Sequence, residues 1–347
     1  MPSIGEVARR QLTRVTHRIH SLPVVILMPH SGCNCRCVMC DIWKANQHRQ
    51  ELSRDDLAPH LETFRQLGVR RVVLSGGEAL MHTNLWTLCA LLKELPIKIT
   101  LLSTGLLLKH HAAEVVHGCD DVVVSLDGSP LVHDEIRNVP RAFARLAEGV
   151  AALRCVDPAY PVRARCVIQR RNFRDLPRII DTARSIGLDQ ISFLAADVSS
   201  TAFNRPMPWG DARTSDVALS PAEANELRGV VEQTIQSHAA DFTAGFVAES
   251  PDKLRRLPRY FAAIHGDGDF PETVCNAPWV STVVEADGTV RPCFFHRSLG
   301  NVREQPLEAV LNSPVAIAFR QTLNVRENPI CRKCVCTLYL GPRAPVP

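Results

Sequence analysis

Two groups of cysteines dominate the chemistry that this sequence could support. Of the thirteen cysteines in the 347 residues, nine fall into two short zones. The first zone contains Cys33, Cys35, Cys37 and Cys40, and the second contains Cys275, Cys293, Cys331, Cys334 and Cys336. Thiols this close together do not suit a disulfide framework, and the apolar run at 24–28 is shorter than the core of a secretory signal. We therefore predict metal binding in the reducing environment of the cytoplasm.

The first zone has the spacing Cys-x3-Cys-x2-Cys, formed by Cys33, Cys37 and Cys40. Iron–sulfur clusters and zinc both prefer thiolates, and three of them on one loop leave one iron of a cubane cluster open to another ligand. A closed zinc site with Cys35 as its fourth ligand is an alternative. The spacing also matches one face of a helix, where the cysteines would be small buried hydrophobic residues. Gly32 and Asn34 argue against a helix here, and thiol chemistry favours a cluster over zinc.

The second zone supplies two pairs of thiols. Cys275 precedes a predicted hairpin and Cys293 follows its turn, so the two can meet, while Cys331 and Cys334 form a Cys-x2-Cys pair. Four thiolates from two such pairs make a closed site, which suits either structural zinc or a fully ligated [4Fe–4S] cluster. Cys336 is surplus to this set.

The elements that must position these residues alternate between strands and helices. Six β-branched runs, each followed by a helical stretch, lie at 24–28, 72–74, 97–102, 122–126, 162–168 and 191–194. This order predicts an α/β protein with a parallel sheet, in the form of a partial (β/α)6 TIM-like barrel. Chemistry in such barrels lies on loops that follow the strands. Polar or cysteine-bearing segments follow the first four runs, at 33–40, 76–78, 103–105 and 127–128.

The rest of the chain divides into flanking regions. Residues 1–22 predict an amphipathic helix, with Ile4, Val7, Leu12, Val15 and Ile19 at near-helical spacing. We expect the barrel at 23–215, connecting helices at 216–270, and a small α+β domain at 271–347, with a hairpin turning on Asp287-Gly288 and a helix at 307–323. The arginines between 163 and 178 alternate with apolar residues, which predicts solvated faces of a strand and a helix.

Three motifs resemble those of the radical S-adenosylmethionine (SAM) enzymes. The string Cys-Val-Met-Cys-Asp-Ile-Trp-Lys at 37–44, together with Cys33, resembles the family's cysteine signature. Ser75-Gly76-Gly77-Glu78 is similar to its glycine–glycine–glutamate motif, and Ser125-Leu126-Asp127-Gly128 with His133, Asp134 and Arg137 resembles its fourth-strand region. Residues 275–336 resemble the twitch domain, the shorter relative of the SPASM domain, which carries auxiliary iron–sulfur clusters.

The resemblance implies a role for each site residue. Cys33, Cys37 and Cys40 would hold a [4Fe–4S] cluster whose open iron binds the amino and carboxylate groups of SAM. Gly76 and Gly77 would let the backbone approach the methionine ammonium, with Glu78 compensating its charge. Met39 and Leu194 would pack against adenine, and the ribose or carboxylate would contact Ser103, Ser125, Arg137 and Gln169. A second, auxiliary [4Fe–4S] cluster would be held by Cys275, Cys293, Cys331 and Cys334.

The implied reaction is reductive cleavage of SAM to a 5′-deoxyadenosyl radical that abstracts a substrate hydrogen. We expect a net oxidation or bond formation on a small molecule or cofactor precursor, with Asp197 and Trp209 as substrate contacts and a reducing partner such as flavodoxin or ferredoxin. A peptide-modifying maturase and a non-catalytic zinc or iron–sulfur interaction protein are the alternatives. No apolar run is long enough to span a membrane. The net charge of +4 gives no reason to expect nucleic acid binding.

Overall fold

A single mixed sheet organises the computed structural model, which describes residues 2–346. Its strands are β1 Val24–His30, β2 Arg71–Gly76, β3 Lys98–Ser103, β4 Asp121–Ser125, β5 Val162–Ile168, β6 Gln190–Ala195, β7 Ser281–Val284, β8 Thr289–Arg291 and β9 Gly300–Asn301. The helices are α1 Ile4–Thr16, α2 Arg54–Leu57, α3 Leu61–Leu67, α4 Leu85–Leu92, α5 Ala112–Gly118, α6 Pro130–Arg137, α7 Ala142–Val156, α8 Leu176–Ser185, α9 Asp211–Val217, α10 Pro221–Ser237, α11 Ala239–Thr243, α12 Pro251–Leu254, α13 Arg256–Ile264, α14 Ala277–Val280, α15 Leu307–Leu311, α16 Pro314–Thr322 and α17 Pro329–Arg332.

The strands β1 to β6 form the parallel half of the sheet in sequence order. Helices connect them, so the predicted partial barrel is confirmed. Burial alternates along β5 and β6: in β5, Val162, Ala164 and Cys166 are buried, whereas Arg163 and Arg165 are not. The buried side chains face the helices, and the alternate ones face the concave side of the sheet.

The concave side is closed near the amino ends of the strands by charged residues. The Asp121 carboxylate accepts hydrogen bonds from Arg71 at 2.9 Å and from Arg163 at 3.0 Å. Arg71 also donates to the Thr100 hydroxyl on β3. The prediction that Arg163 lies on a solvated face is therefore wrong, because a carboxylate inside the barrel binds it. Arg170, farther along the chain, does lie at the surface and pairs with Glu223.

The C-terminal hairpin extends the barrel sheet instead of forming a sheet of its own. β7 pairs with β1 in parallel, with Val24 opposite Ser281 and Leu27 opposite Val284. β8 and β9 then continue the sheet in antiparallel fashion. The predicted Asp287-Gly288 turn is present, and Gly288 has a φ of 84°, which favours glycine. This pairing joins the second cysteine zone to the strand that leads into the first.

The single helix predicted at 307–323 is wrong. The structure has two helices, α15 and α16, separated at Asn312 and Ser313. Pro314 cannot donate the amide hydrogen that a continuous helix needs at this position, and its ring would clash with the preceding turn. The Ser313 hydroxyl instead accepts the Ala316 N–H at 3.2 Å and caps α16.

The predicted N-terminal helix is present as α1, and several of the apolar residues of its amphipathic pattern are exposed. Its buried residues are Glu6, Arg10 and Thr13, while Ile4 and Val15 are 91% and 75% exposed. Glu6 pairs with Arg70, and Arg10 donates to the Ala344 carbonyl at 2.7 Å. Polar contacts with the barrel and the C-terminal segment therefore decide its orientation. No helix within residues 2–346 is long and apolar enough to cross a membrane.

Candidate active site

The loop after β1 carries the first cysteine zone and is clamped at its start. The Asn46 side chain accepts the Cys33 N–H at 2.8 Å and donates to the Cys33 carbonyl at 2.8 Å. Gly32 lies between Asn46 and His30, and a Cβ there would be 2.7 Å from Asn46 Oδ1. The segment is not helical, so the reading of these cysteines as one helix face is wrong. Asn46 was not expected from the sequence, since no spacing rule links it to Cys33.

The four thiols of this loop form one electrostatic group. Burial, and then the neighbouring Cys37 thiolate, raise the pKa of Cys40 to about 12. The Cys35 thiol is hydrogen-bonded to the Cys33 and Cys37 thiols, and these hydrogen bonds raise the pKa of Cys35. By contrast, the hydrogen bond from Cys35 and the charge of Arg137 hold the pKa of Cys37 at about 7, against the effect of burial. The thiols of Cys33, Cys37 and Cys40 thus act electrostatically on one another or on Cys35.

Arg137 connects the thiols to the fourth strand. Its Nη1 lies 3.5 Å from Cys37 Sγ, and its other amino group pairs with the fully buried Asp127. The Asp127 carboxylate is itself positioned by the Val167 N–H at 2.8 Å. A buried cation beside Cys37 favours the thiolate, which is the form that binds metal. The structure therefore gives Arg137 a contact with a cysteine, where the sequence predicted one with SAM.

Glu78 is enclosed by the loop after β3. Its carboxylate accepts the Ser103 hydroxyl at 3.0 Å, the Thr104 N–H and hydroxyl at 2.6 Å each, and the Leu80 N–H at 3.1 Å. Burial raises the pKa of Glu78, although these hydrogen bonds act in the opposite direction. Ser103 thus binds Glu78 directly, and both residues hold the ends of β2 and β3 together below the cysteine loop.

The glycines before Glu78 let the cysteine loop approach β2. A Cβ on Gly77 would lie 2.0 Å from the Gly32 carbonyl oxygen, and one on Gly76 would lie 2.9 Å from the His30 oxygen. Gly76 also has a φ of 112°. The Glu78 N–H donates to the Gly32 carbonyl at 3.0 Å across this contact. The structure thus explains both glycines by close packing against residues 30–33.

Several polar groups near these elements have no partner within the protein. Gln169, immediately after β5, is fully buried, and neither its side-chain nitrogen nor its oxygen makes a hydrogen bond within residues 2–346. The side-chain nitrogen of Asn34 on the cysteine loop is also buried without a partner. Buried polar groups require a partner, so these amides fit a polar cofactor such as SAM. The Ser125 side chain likewise makes no hydrogen bond within residues 2–346.

The segment after β6 covers the cysteine loop. Arg205 donates to Asp197 Oδ2 at 2.8 Å and to the Met39 carbonyl at 3.2 Å, and its guanidinium stacks 3.7 Å from the Trp209 ring centroid. Trp209 in turn donates to Asp41 Oδ2 at 2.8 Å. Asp197 and Trp209 therefore bind other parts of the chain, and their expected role as substrate contacts is not seen. Arg205 was missed because its sequence neighbours carry no motif.

The second cysteine zone gathers around the end of the hairpin. Burial raises the pKa of Cys293 to about 11 and that of Cys331 to about 12, and the charges of neighbouring cysteines add to both shifts. Cys275 and Cys336 are among the neighbours of Cys293. Burial likewise raises the pKa of Cys334, with Cys336 as the nearest source of charge. The charges of Cys275, Cys293 and Cys336 thus act on one another's neighbours in this zone, and the set Cys275, Cys293, Cys331 and Cys334 stays a prediction.

A histidine contacts this group. His296 Nε2 lies 3.3 Å from Cys331 Sγ, and its ring packs at 5.0 Å on Phe319 of α16. Burial lowers the pKa of His296, so the ring is neutral and can donate one hydrogen bond. His296 follows Cys293 by three residues, a spacing that could have identified it.

Aromatic packing joins the two cysteine zones. Phe203, two residues before Arg205, lies 5.0 Å from Phe294 and 6.2 Å from Phe295, which directly follow Cys293. The segment that covers the first zone therefore also packs against the second.

Neither zone is arranged for a single ion. Within residues 2–346, no three or more His, Cys, Asp or Glu side chains are drawn together as a lone metal ion requires. A cubane cluster holds its cysteine sulfurs farther apart, because iron and sulfide lie between them.

A cleft of about 140 Å³ opens at the free edge of β6, between the barrel and the second cysteine zone. One wall includes Leu194 and Ala195, and the other includes Cys334 and Cys336. Cationic side chains line much of the remainder, namely Arg165, Lys253, Arg256 and Arg332. Arg165 is thus in the barrel's opening, and its expected place on a solvated strand face is confirmed, because it is exposed on β5.

Comparison with protein families agrees with this architecture. Residues 27–183 match the radical SAM superfamily, and residues 275–335 match SPASM, an iron–sulfur cluster-binding domain. The chain belongs to the radical SAM enzymes and has a C-terminal SPASM domain. It carries a [4Fe–4S] cluster that acts with SAM, and an auxiliary iron–sulfur cluster in the SPASM domain.

Among individual relatives, two come from Methanosarcina barkeri. The chain is 25% identical to Fe-coproporphyrin III synthase, over 83% of this chain and 73% of the relative. It is 26% identical to AdoMet-dependent heme synthase, over 86% of this chain and 83% of the relative. AlbA, a subtilosin biosynthesis protein of Bacillus subtilis, is 22% identical over 88% of this chain and 62% of the relative.

Solved structures share the fold at low identity. SuiB of Streptococcus suis, bound to SAM, superposes with a TM-score of 0.62 and 16% identity, over 96% of this chain and 76% of that chain. The enzyme anSMEcpe, with AdoMet and the Cp18Cys peptide, gives a TM-score of 0.62 and 17% identity, over 90% of this chain and 87% of that chain. SuiB has also been solved with its precursor peptide SuiA. Enzymes of this fold therefore bind peptide substrates.

Proposed function

We propose that this enzyme oxidises a small molecule or cofactor precursor bound in the cleft beside β6. The observation that carries the proposal is the position of that cleft, whose walls are Leu194 and Ala195 at the barrel mouth and Cys334 in the SPASM domain. A molecule held there would lie between the two cluster sites. The names of the two Methanosarcina barkeri relatives, which describe the synthesis of Fe-coproporphyrin III and heme, support a substrate of this class.

The residues that would hold the first cluster are Cys33, Cys37 and Cys40. Arg137 beside Cys37 stabilises the thiolate form, and Asn46 holds the start of the loop. SAM would then contact the unpartnered amides of Gln169 and Asn34, with Ser125 and Leu194 nearby on the strand ends. Met39, whose carbonyl is fixed by Arg205, would pack on the adenine. When both are bound and the cluster is reduced by one electron, the first cluster and SAM together supply a 5′-deoxyadenosyl radical.

The first cluster with SAM would supply the radical that removes a hydrogen atom from the substrate, with 5′-deoxyadenosine as the product. The auxiliary cluster would supply an acceptor for the second electron and the proton would leave to solvent, so that the substrate would undergo a two-electron oxidation in total. Cys275, Cys293, Cys331 and Cys334 are the proposed ligands of this cluster, because four thiols fill every iron position and leave it suited to electron transfer. A small reducing protein such as a flavodoxin or ferredoxin would supply the first electron.

The reconstituted protein tests the proposal. Under anaerobic conditions, it should bind about eight irons per chain and release 5′-deoxyadenosine after reduction. The double variant Cys331→Ala and Cys334→Ala should keep the first cluster and still cleave SAM, but should form no oxidised product. Cys155→Ala, which changes an exposed cysteine on α7, is the matched control.

Three results would contradict the proposal. Unchanged product formation in the double variant would remove the auxiliary cluster from the reaction. Bound zinc without release of the nucleoside would support a non-catalytic protein. Turnover with a precursor peptide, and none with tetrapyrroles or other small molecules, would instead favour a peptide-modifying enzyme such as those represented by SuiB.

A further inference from the structure

Arg165 differs from the other arginines on the concave side of the barrel. Arg163, two residues earlier on the same face of β5, is paired with Asp121 at 3.0 Å. Arg165 has no carboxylate within ion-pair distance among residues 2–346, and its one side-chain contact is a long hydrogen bond of 3.4 Å to the Ser192 hydroxyl. Its side chain lines the cleft. The cleft therefore contains an arginine that forms no ion pair within residues 2–346, although its charge also acts on the Glu249 carboxylate in the same lining.

The other charges of the cleft do not neutralise Arg165. Lys253 lies 3.5 Å from Glu249, and Arg332 lies 3.4 Å from Asp269. Glu249, the one carboxylate among the lining residues, is 7% exposed and accepts the Phe193 N–H at 2.8 Å. Glu249 is thus engaged at the edge of β6, and the lining as a whole keeps an excess of positive charge.

The chemistry of this arginine indicates the ligand. A guanidinium presents a planar fork of N–H groups that matches the two oxygens of a carboxylate. Arg165 is exposed on the side of the cleft, so a carboxylate can approach its guanidinium directly from solvent. Leu194, the predicted adenine contact, is two residues along β6 from Ser192, the residue opposite Arg165. That separation is about 7 Å.

We propose that Arg165 binds a carboxylate group of the substrate and so fixes which carbon faces the barrel mouth. This inference rests on the proposed function, because it assigns the substrate class of the same cleft. A molecule with a carboxylate near Arg165 can reach the strand ends with an arm of a few bonds. The substrate is therefore a carboxylic acid whose reacting C–H group is separated from the acid group.

Binding to matched acids and esters tests this assignment. The probes are succinate, indole-3-acetate and iron coproporphyrin III, each compared with its methyl ester on the reconstituted holoenzyme. We expect at least one acid to bind more tightly than its ester, and Arg165→Gln to reduce its affinity roughly ten- to hundredfold without affecting the ester. Arg174→Gln, which removes an exposed arginine paired with Glu226, is the control and should bind like the wild type.

The outcomes separate this inference from the proposed function. If the wild type shows no preference for any acid, or if Arg165→Gln keeps the same preference, the carboxylate site is refuted. Release of 5′-deoxyadenosine by the same wild-type preparation would leave the proposed function standing in that case. If the wild type releases no 5′-deoxyadenosine, the proposed function fails, whatever the binding data show.

Discussion

Arg205 and Asp197 form an ion pair that is enclosed by the protein. Arg205 Nη1 lies 2.8 Å from Asp197 Oδ2, and their side chains are 0% and 2% exposed. The same guanidinium reaches the Met39 carbonyl and stacks on Trp209. The pair therefore attaches the segment after β6 to the loop that carries Cys37 and Cys40.

Breaking this pair from one side should be costly. Asp197→Asn leaves the buried Arg205 charge without its counter-ion, and we expect the free energy of unfolding to fall by about 3–5 kcal/mol. Urea unfolding of the metal-free protein measures the change. Arg255→Met, which removes a surface pair with Glu232, is the control and should leave the midpoint nearly unchanged. If Asp197→Asn and the wild type had equal free energies of unfolding, the Arg205–Asp197 ion pair could not be buried as described.

Gly77→Ala should disrupt the first cluster site selectively. The added Cβ would collide with the Gly32 carbonyl at 2.0 Å, so the cysteine loop must move. We expect the variant to lose about four of its irons, those of the first cluster, and to keep the auxiliary cluster. Iron analysis and electron paramagnetic resonance distinguish the two. Gly229→Ala is the matched control, because a Cβ there meets open space within α10 and should stabilise the helix by about 1 kcal/mol.

His133 should make stability depend on pH. Burial, followed by the charge of Arg137, lowers the pKa of His133 to about 3, whereas the unfolded chain has a value of about 6.5. Between these values the unfolded chain binds a proton that the folded chain does not. The contribution of His133 to the free energy of unfolding is therefore fully present above about pH 6.5. It is lost as the pH decreases, and by pH 5 the loss amounts to about 2 kcal/mol.

A glutamine variant isolates this effect. His133→Gln can still accept the Asp127 N–H, which His133 Nδ1 accepts at 3.2 Å, but it does not titrate. Urea unfolding of the metal-free protein at pH 7.5 and pH 5 should therefore show a smaller decrease in the variant. The same decrease in both proteins would show that His133 does not supply this pH dependence.

His296 should raise the reduction potential of the auxiliary cluster. With its proton on Nε2, it donates a hydrogen bond to Cys331 Sγ over 3.3 Å, which stabilises the added negative charge of the reduced state. We expect His296→Leu to shift the auxiliary midpoint to a more negative value in a titration followed by electron paramagnetic resonance. The first cluster serves as an internal control, and an unchanged auxiliary midpoint would argue against the hydrogen bond.

The strands and the cysteine loops could be predicted because their signals are local. The run at 162–168 matches β5 residue for residue, since its apolar residues recur at every second position, as on a strand with one face packed against helices. The helix at 307–323 failed at Pro314 alone. The orientation of α1 could not be predicted, because Glu6 and Arg10 find partners at Arg70 and Ala344, which helical periodicity does not reveal.

The missed site residues act across long separations in the chain. Arg205 binds the Met39 carbonyl 166 positions away, and His296 contacts Cys331 35 positions away. No motif connects Arg205 to Met39 or His296 to Cys331, so only the folded chain identifies these contacts, although the short spacing from Cys293 could have drawn attention to His296 itself. The roles expected for Gly77 and Arg137 came from a family motif, whereas the contacts that the structure shows are with Gly32 and Cys37.

The parallel pairing of β1 with β7 has a consequence for how the protein is made. A ribosome releases β1 well before β7, the strand that covers its outer edge and that begins only at Ser281. At ordinary rates of synthesis the delay is on the order of ten seconds or more. During that time the nascent barrel presents an apolar, unpaired edge of the kind that recruits strands from other chains. Newly made molecules are therefore most prone to aggregate through β1, until the hairpin docks.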